Sequence, residues 1–377
     1  MSQAFLNLND IHTLQVDHNS TCNLACPQCA RTVSGEVNRS LPQKFLPLSF
    51  YERVFTRELC SSIERVFFCG NYGDVIASPN ILQVCRYLKS QGLKTISIVT
   101  NGSLRDRAWW TDLATILSGK TDKVLFSIDG FADTNHLYRV GSNFDKIMEN
   151  AAAFIAAGGT ARWEYLVFAH NEHQVDEAKK RAKEMGFDSF KLKKTNRFIV
   201  DKNYKSGKKD TTFEVHGKAQ NFLTSLKAPR EESLQTKSLS RFDEIIKKHK
   251  TWENYIENSQ ITCKAQLEKT MFIDFQGDLW PCTWMAAPPY FHGDENSQKI
   301  QLLKVIDHYG SGFNSLLHNE ITEVIAHPWF ASELVKSWSG SLQDPVPKMM
   351  TCGRTCGQDY EFSSNAPENK ELIRFER

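Results

Sequence analysis

Short apolar strands and amphipathic helices alternate along the first half of the chain. The pattern predicts strands at 14–17, 63–68, 94–99, 124–128, 162–168 and 187–192. Helices are expected between them at 49–59, 78–92, 106–117, 144–157 and 175–185. Strands that alternate with helices in this way form a parallel sheet. The chain is therefore expected to have an α/β fold, a partial (β/α)6 TIM-like barrel of six strand–helix units.

Polar and glycine-containing motifs follow the predicted strands at the point where each strand ends. Ligands of parallel α/β folds bind at these carboxyl ends. The motifs are Cys22–Cys29, Gly70–Asp74, Thr100–Gly102 and Ser127–Gly130, after the first four strands in order. The candidate site is therefore expected at this end of the sheet.

The character of the chain changes after the sixth strand. A tract of eight cations follows, made of Lys191, Lys193, Lys194, Arg197, Lys202, Lys205, Lys208 and Lys209. A charged helix is predicted at 241–256, before cysteines reappear. We expect a barrel at 10–195, a basic and polar insertion with a linker helix at 196–259, and a cysteine-rich domain at 260–377. The tract could follow a polyanion such as a nucleic-acid backbone, and a solvated insertion is the alternative.

The composition is that of a globular chain with an unusual number of thiols. Its 377 residues include 10 cysteines, and 46 Lys+Arg stand against 44 Asp+Glu, so the net charge hides the local basic tract. No apolar run approaches the ~20 residues that span a bilayer, and no signal peptide is visible. We expect a cytoplasmic protein (host cytoplasm if viral) with no membrane partner. Thiols stay reduced there, which favours metal or iron–sulfur binding over disulfides.

Cys22, Cys26 and Cys29 form a C-x3-C-x2-C loop directly after the first predicted strand. Three thiolates can hold three irons of a [4Fe–4S] cluster, which normally has four protein ligands, and leave one iron open for a small molecule. The spacing alone leaves a zinc site as the alternative, completed by His18 or His12.

A second group of four cysteines lies in the last third of the chain. Cys263 and Cys282 have the spacing C-x13-G-x4-C around a predicted hairpin, and Cys352 and Cys356 lie on a predicted glycine-flanked loop. Four thiolates can complete a fully ligated [4Fe–4S] cluster, and a four-cysteine zinc ribbon is the alternative. The other three cysteines are expected to be buried small hydrophobes: Cys60, Cys69 and Cys85.

From Leu14 to Leu192 these motifs resemble those of the radical SAM enzymes. In that family the three-cysteine loop follows the first strand, and its open iron chelates the amino and carboxylate groups of S-adenosylmethionine (SAM). The second strand ends in a Gly-Gly-Glu-Pro-like turn, the third in Thr-Asn-Gly, and the fourth often in Ser-x-Asp-Gly. The resemblance implies Cys22, Cys26 and Cys29 as cluster ligands. The SAM-binding residues that it implies are Gly70, Asn71, Gly73, Asp74, Asn101, Ser127 and Asp129.

This sequence departs from the family pattern at two positions. Gln28 precedes the third cysteine, where the residue is usually aromatic, and Val75 replaces the proline of the second-strand turn. Neither change removes a ligand, so both bear on how tightly the adenosine is held.

The second cysteine group resembles the auxiliary-cluster domain called SPASM in its shortened, single-cluster form, often called twitch. The full form has seven cysteines in this region, and this chain has four. The resemblance therefore implies one auxiliary [4Fe–4S] cluster on Cys263, Cys282, Cys352 and Cys356, with a role in electron transfer or substrate-radical oxidation.

The family resemblance implies a reaction but leaves the substrate open. The reaction is reductive cleavage of SAM to a 5′-deoxyadenosyl radical that abstracts a substrate hydrogen, with a one-electron donor such as flavodoxin or ferredoxin. Candidate substrate contacts are Tyr72, Tyr138, Arg139, Glu164 and Tyr165, with the His170–His173 loop following the fifth strand.

Three functions are weighed. Only 21 residues precede Cys22, so no leader-peptide-binding domain is expected. With the basic tract, this favours isomerisation of an amino-acid adduct on a nucleobase in DNA, as in radical SAM proteins of phage thymine-hypermodification pathways. The first alternative is a peptide- or aminosugar-modifying enzyme acting as dehydrogenase, epimerase or cross-linking enzyme. The second is a zinc-stabilised nucleic-acid-binding scaffold without catalysis.

Overall fold

A large, mostly parallel sheet forms the centre of the molecule. The computed structural model describes residues 4–33, 36–38, 41–195, 212–214, 225–291, 296–358 and 370–375. The strands are β1 Thr13–Val16, β2 Thr32–Val33, β3 Glu36–Val37, β4 Arg65–Phe68, β5 Thr95–Thr100, β6 Lys123–Ser127, β7 Ala161–Leu166, β8 Ser189–Lys193, β9 Thr212–Glu214, β10 Ser225–Lys227, β11 Thr270–Ile273, β12 Leu279–Trp280 and β13 Lys370–Arg374.

Helices connect the parallel strands and continue through the C-terminal part. They are Leu48–Val54, Arg57–Ser62, Ile81–Ser90, Arg107–Ile116, Asn135–Tyr138, Phe144–Ala156, Val175–Glu184, Lys237–His249, Trp252–Asn258, Lys264–Leu267, Thr283–Ala286, Ser297–Tyr309, Ile321–Ala326, Leu334–Ser337 and Met350–Cys356. No helix in the described ranges is long and apolar enough to cross a membrane.

The predicted α/β architecture is confirmed. Strands β1, β4, β5, β6, β7 and β8 lie side by side in that order, and each pair is parallel. The helix Ile81–Ser90 shows how the helices cover the sheet. Its Ile81, Val84, Cys85 and Leu88, at helical spacing, are buried in the main core.

Strands from beyond residue 260 extend the same sheet at both edges. Strand β11 pairs in parallel with β1 and carries β12 as an antiparallel neighbour, while β13 pairs antiparallel with β8. Side chains of β11 and β12 belong to the same core as the barrel strands. The domain boundaries stay predictions, but the central sheet crosses the one placed at 260.

Two helices that the sequence predicted as continuous are each divided. The segment 49–59 breaks at Thr56, whose extended backbone lets its hydroxyl accept a hydrogen bond from Leu59 N at 3.3 Å and start a second helix. The segment 241–256 breaks at Lys250, which has a φ of 68°. Thr251 then caps the helix Trp252–Asn258 by accepting from Asn254 N at 3.1 Å.

Candidate active site

Three thiols converge on one cavity at the carboxyl end of β1. Cys22, Cys26 and Cys29 all line it. Their loop folds around Arg31, whose guanidinium donates to Ser20 O at 3.2 Å and Leu24 O at 3.0 Å. The loop shape is therefore set by backbone carbonyls, and the cysteine side chains remain on the cavity wall.

The donor set fits an iron–sulfur cluster. Burial, with the charge of Asp74, raises the pKa of the Cys22 thiol. A thiolate at this position therefore needs nearby positive charge, which bound iron supplies. Leu24 N donates to Cys22 Sγ at 3.4 Å, and Asn101 Nδ2 lies 3.7 Å from the same sulfur. Hydrogen bonds to ligating sulfurs are among the features that tune such clusters.

The glycine turn after β4 forms the opposite wall. Gly70 and Gly73 line the cavity, and Gly70 has a φ of 62°. A Cβ at Gly73 would lie 2.2 Å from Asn19 O, and one at Gly70 would lie 2.7 Å from Gly73 O. Glycine at position 73 therefore lets the turn lie against Asn19, just before the three-cysteine loop, and glycine at position 70 lets the turn fold back on itself.

Asp74, at the end of this turn, is held by the neighbouring strand. Its carboxylate accepts from Asn101 N at 2.7 Å, Thr100 Oγ1 at 3.0 Å and Ile76 N at 3.2 Å. Burial raises the pKa of Asp74, and these hydrogen bonds oppose the shift. Asp74 therefore fixes the end of β5 against the turn and, with Asn101 and Ser127, lines the cavity.

Two of the seven predicted SAM-binding residues do not line the cavity. Asn71 donates through Nδ2 to Thr283 Oγ1 and through its backbone N to Asp17 Oδ1 at 3.1 Å. Asp129 is fully buried and accepts from Arg139 Nε at 2.6 Å and Leu166 N at 2.7 Å. Their contact with SAM stays a prediction, and their observed bonds are to protein.

Arg139 is the cation that Asp129 places on the cavity wall. Burial would lower the pKa of this guanidinium, but Asp129, Cys26 and Cys29 together raise it. Its side chain is 19% exposed, so it is reachable from the cavity. The sequence predicted Arg139 only as one of several possible substrate contacts. Its ion pair with Asp129 of the Ser-x-Asp-Gly motif has no signal in the local sequence pattern.

Comparisons with solved structures identify the fold. Streptococcus suis SuiB bound to precursor peptide SuiA matches with a TM-score of 0.52 and 15% identity, over 90% of this chain and 70% of that chain. Native anSMEcpe with bound AdoMet and Cp18Cys peptide matches with a TM-score of 0.50 and 17% identity, over 93% and 92%. Both neighbours are radical SAM enzymes. The chain has the radical SAM fold.

One further structural match covers less of both chains. In a further Streptococcus suis SuiB crystal structure the match covers 73% of this chain and 61% of that chain, at 17% identity and a TM-score of 0.47. No protein-family model matches the chain. No curated protein matches it either.

The structure also gathers the second group of cysteines. Cys263, Cys282, Cys352 and Cys356 line one apolar pocket. A hydrogen bond with Cys356, and then burial, raise the pKa of the Cys263 thiol, while burial raises that of Cys282 to about 12. As in the first group, these thiols would lose their protons only with a bound cation to balance the charge.

The backbone explains how distant cysteines meet. Ile261 and Gly357 form an antiparallel bridge, and Thr262 N donates to Cys356 O at 3.0 Å. The predicted loop at 352–356 is in fact the helix Met350–Cys356. Its glycine allows close packing, because a Cβ at Gly353 would lie 2.6 Å from Ile256 Cγ2. Cys352 and Cys356, four residues apart, therefore share one helix face.

The histidines that could complete a zinc site are otherwise engaged. His18 Nδ1 lies 2.7 Å from Tyr51 Oη, and its Nε2 lies 2.8 Å from Ser78 Oγ. His12 precedes β1, at the end opposite the cysteine loop, and pairs with Glu64 at 3.9 Å. In the described part of the chain, no three His, Cys, Asp or Glu side chains are grouped as a single metal ion would require.

The structure locates the remaining candidates. Cys60 and Cys85 are fully buried in the core, while Cys69 is partly buried at its edge. The imidazole of His170 stacks on Phe168 with ring centroids 5.3 Å apart. Five cations of the basic tract, at positions 197–209, lie outside the described residues.

Asp17 is a site residue that the sequence did not reveal. It is fully buried at the end of β1, and its carboxylate accepts from the backbone N of Asn71 and of Tyr72, at 3.1 and 3.2 Å. Burial, and then the charge of Asp274, raise its pKa. A carboxylate that holds the glycine turn has no local sequence signal, because its partners are 54 and 55 residues away.

Proposed function

We propose that this chain is a radical SAM enzyme. The observation that carries the proposal is the convergence of Cys22, Cys26 and Cys29 on one cavity with the glycine turn after β4. When bound, a [4Fe–4S] cluster would supply one electron for reductive cleavage of SAM, and the 5′-deoxyadenosyl radical would abstract a substrate hydrogen.

The chain's own residues have separate tasks in this proposal. The three thiols hold the cluster, and Gly70 and Gly73 bring backbone close to the SAM methionine group. Arg139, held by Asp129, binds the SAM carboxylate, since a half-buried guanidinium is well suited to that partner.

We also propose an auxiliary [4Fe–4S] cluster on Cys263, Cys282, Cys352 and Cys356. Its support is the shared apolar pocket of the four thiols. Four thiolates would leave no iron open for substrate, so the role proposed is electron transfer or oxidation of a substrate radical. The external reductant proposed is a one-electron donor such as flavodoxin or ferredoxin.

Anaerobic reconstitution tests the chemistry. The protein should turn brown and absorb near ~400 nm, and with dithionite and SAM it should release 5′-deoxyadenosine. Cys26→Ala should abolish that release. Cys60→Ala, which removes a buried core thiol instead, should retain it. Colourless protein would favour the zinc scaffold, and SAM cleavage by a Cys22/Cys26/Cys29 triple variant would refute the site.

For the substrate, the first proposal is an amino-acid adduct on a nucleobase in DNA, isomerised through its α-carbon. Its support is the cation content of the tract from Lys191 to Lys209. Modification of a peptide is the second candidate, supported by the peptides bound to both neighbours. Mass spectrometry after turnover separates the reaction types: an isomerase leaves the mass unchanged, and a dehydrogenase removes two hydrogens.

A further inference from the structure

A group of charged side chains continues the SAM cavity along the sheet. Ser127, on the cavity wall, is in register with Glu164 of β7, and Glu164 is in register with Lys191 of β8. Registered residues of parallel strands project from the same face, and neighbouring strands lie ~4.8 Å apart. Glu164 and Lys191 are therefore one and two strands from the cavity, on its own side of the sheet.

Three cations surround the Glu164 carboxylate. Lys193 Nζ lies 3.2 Å from Oε2, while Lys191 Nζ and Arg162 Nη1 lie 3.5 and 3.8 Å from Oε1. Lys370 of β13 joins them, because it is in register with Lys193. We call Arg162, Lys191, Lys193 and Lys370 the cation face.

Positive charge exceeds negative charge on this face. Glu164 is 4% exposed and is the one carboxylate within ion-pair distance of Arg162, Lys191 or Lys193 among the described residues. Glu268 also acts on Lys370 through its charge. Among the residues that the structure describes, four cations thus face two carboxylates.

Burial and neighbouring cations both act on two lysines of this face. Burial lowers the pKa of Lys191 to about 8, and Glu164 opposes that shift while the neighbouring cations add to it. Burial lowers the pKa of Lys370 as well. For Glu164, burial alone would raise the pKa, but Lys193, Lys191 and Arg162 bring it down to about 2. A purely structural ion-pair network has no need for the surplus of cations.

We infer that the cation face binds an anionic group of the substrate, a carboxylate or a phosphate, beside the SAM cavity. The inference rests on the proposed function, which places the substrate in this space. The lysine side chains are 15 and 22% exposed, so they are shielded yet reachable. Glu164 holds them in position, and the anion supplies the charge that Glu164 alone cannot.

The test uses the full chain with its clusters reconstituted and follows the thermal unfolding midpoint by circular dichroism. Inorganic phosphate and citrate are the two probes, each compared with sodium chloride at the same ionic strength. At least one should raise the midpoint of the wild type beyond the chloride effect. Phosphate alone would indicate a phosphorylated substrate, and citrate alone a carboxylate.

Lys191→Gln/Lys193→Gln should weaken the apparent affinity for the probe by roughly tenfold or more, since each charge-assisted hydrogen bond contributes about a factor of ten. The control is Lys180→Gln/Lys183→Gln on the exposed side of the helix Val175–Glu184, which should match the wild type. Equal effects of probe and chloride on the wild type would overturn the inference even if the double variant failed to fold. So would an unchanged probe effect in that variant.

SAM cleavage without substrate is measured on the same wild-type preparation. If no SAM is cleaved, the proposed function is refuted. The evidence for anion binding would remain valid, because the unfolding midpoint is measured without turnover.

Discussion

The buried pair of Asp129 and Arg139 offers a direct test of how the cavity at the three-cysteine loop is built. Asp129→Asn keeps the side-chain shape and an acceptor for Leu166 N, but removes the charge that opposes the guanidinium. Breaking a fully buried pair costs about 3–5 kcal/mol. Since 19% of the Arg139 side chain is exposed, we expect the lower end, about 3 kcal/mol.

This loss has a measurable size in a thermal melt. An unfolding entropy of about 2.1 cal/mol/K per residue over 377 residues gives about 0.8 kcal/mol/K, so the midpoint should fall by about 4 °C. In the same variant, SAM should bind roughly tenfold more weakly in equilibrium dialysis, because Arg139 loses its fixed orientation.

Asp133→Asn is the matched control for this experiment. It makes the same chemical change on an exposed residue of the same segment, where the carboxylate accepts from Gln174 and from no other side chain or backbone group in the described ranges. We expect the free energy of unfolding to change by no more than about 0.5 kcal/mol and SAM binding to be unaltered. Equal midpoints and equal SAM affinities for Asp129→Asn and the wild type would refute the positioning role of the pair.

Two further predictions concern the turn and the pH response. Gly73→Ala should lower the midpoint and weaken SAM binding, because its Cβ would meet Asn19 O at 2.2 Å. Gly92→Ala has open space around it, so only the strain of a side chain at its φ of 89° remains, about 1–2 kcal/mol. Burial raises the pKa of Asp274 to about 7. The folded state therefore binds this proton more tightly than the unfolded state, and stability should fall as pH rises from about 4 through 7. Urea midpoints at several pH values should show a flatter slope for Asp274→Asn, and parallel slopes would contradict the assignment.

The motifs at the strand ends could be predicted because their geometry is local. A strand ends within a few residues of its last buried side chain, and parallel strands bring successive ends to one edge. Gly70, Gly73, Asn101 and Ser127 reach the cavity for this reason. Asn71 and Asp129 lie in the same motifs, but their direction depends on partners elsewhere in the chain, Thr283 and Arg139.

Long-range pairing explains what the sequence did not reveal. The hairpin around Gly277 was predictable from its turn, yet the pairing of β11 with β1 joins residues more than 250 positions apart. Strand β13 pairs with β8, although the two strands are far apart in the sequence. Local periodicity carries no information about such partners, so the cysteine-rich part was expected to be separate from the sheet.

Two long-range hydrogen bonds connect the two groups of cysteines. The helix Thr283–Ala286 begins directly after Cys282, and Thr283 accepts a hydrogen bond from Asn71 in the glycine turn after β4. Tyr72, next in that turn, donates to Ala287 O at 3.0 Å, just past the end of the same helix. A displacement of the helix by the proposed auxiliary cluster would therefore move Asn71 and Tyr72 as well. Because Asp17 holds the backbone of both residues, that movement would reach the end of β1 and the three-cysteine loop that follows it. The integrity of one cysteine group should for this reason affect the shape of the other, even if no electron passes between them.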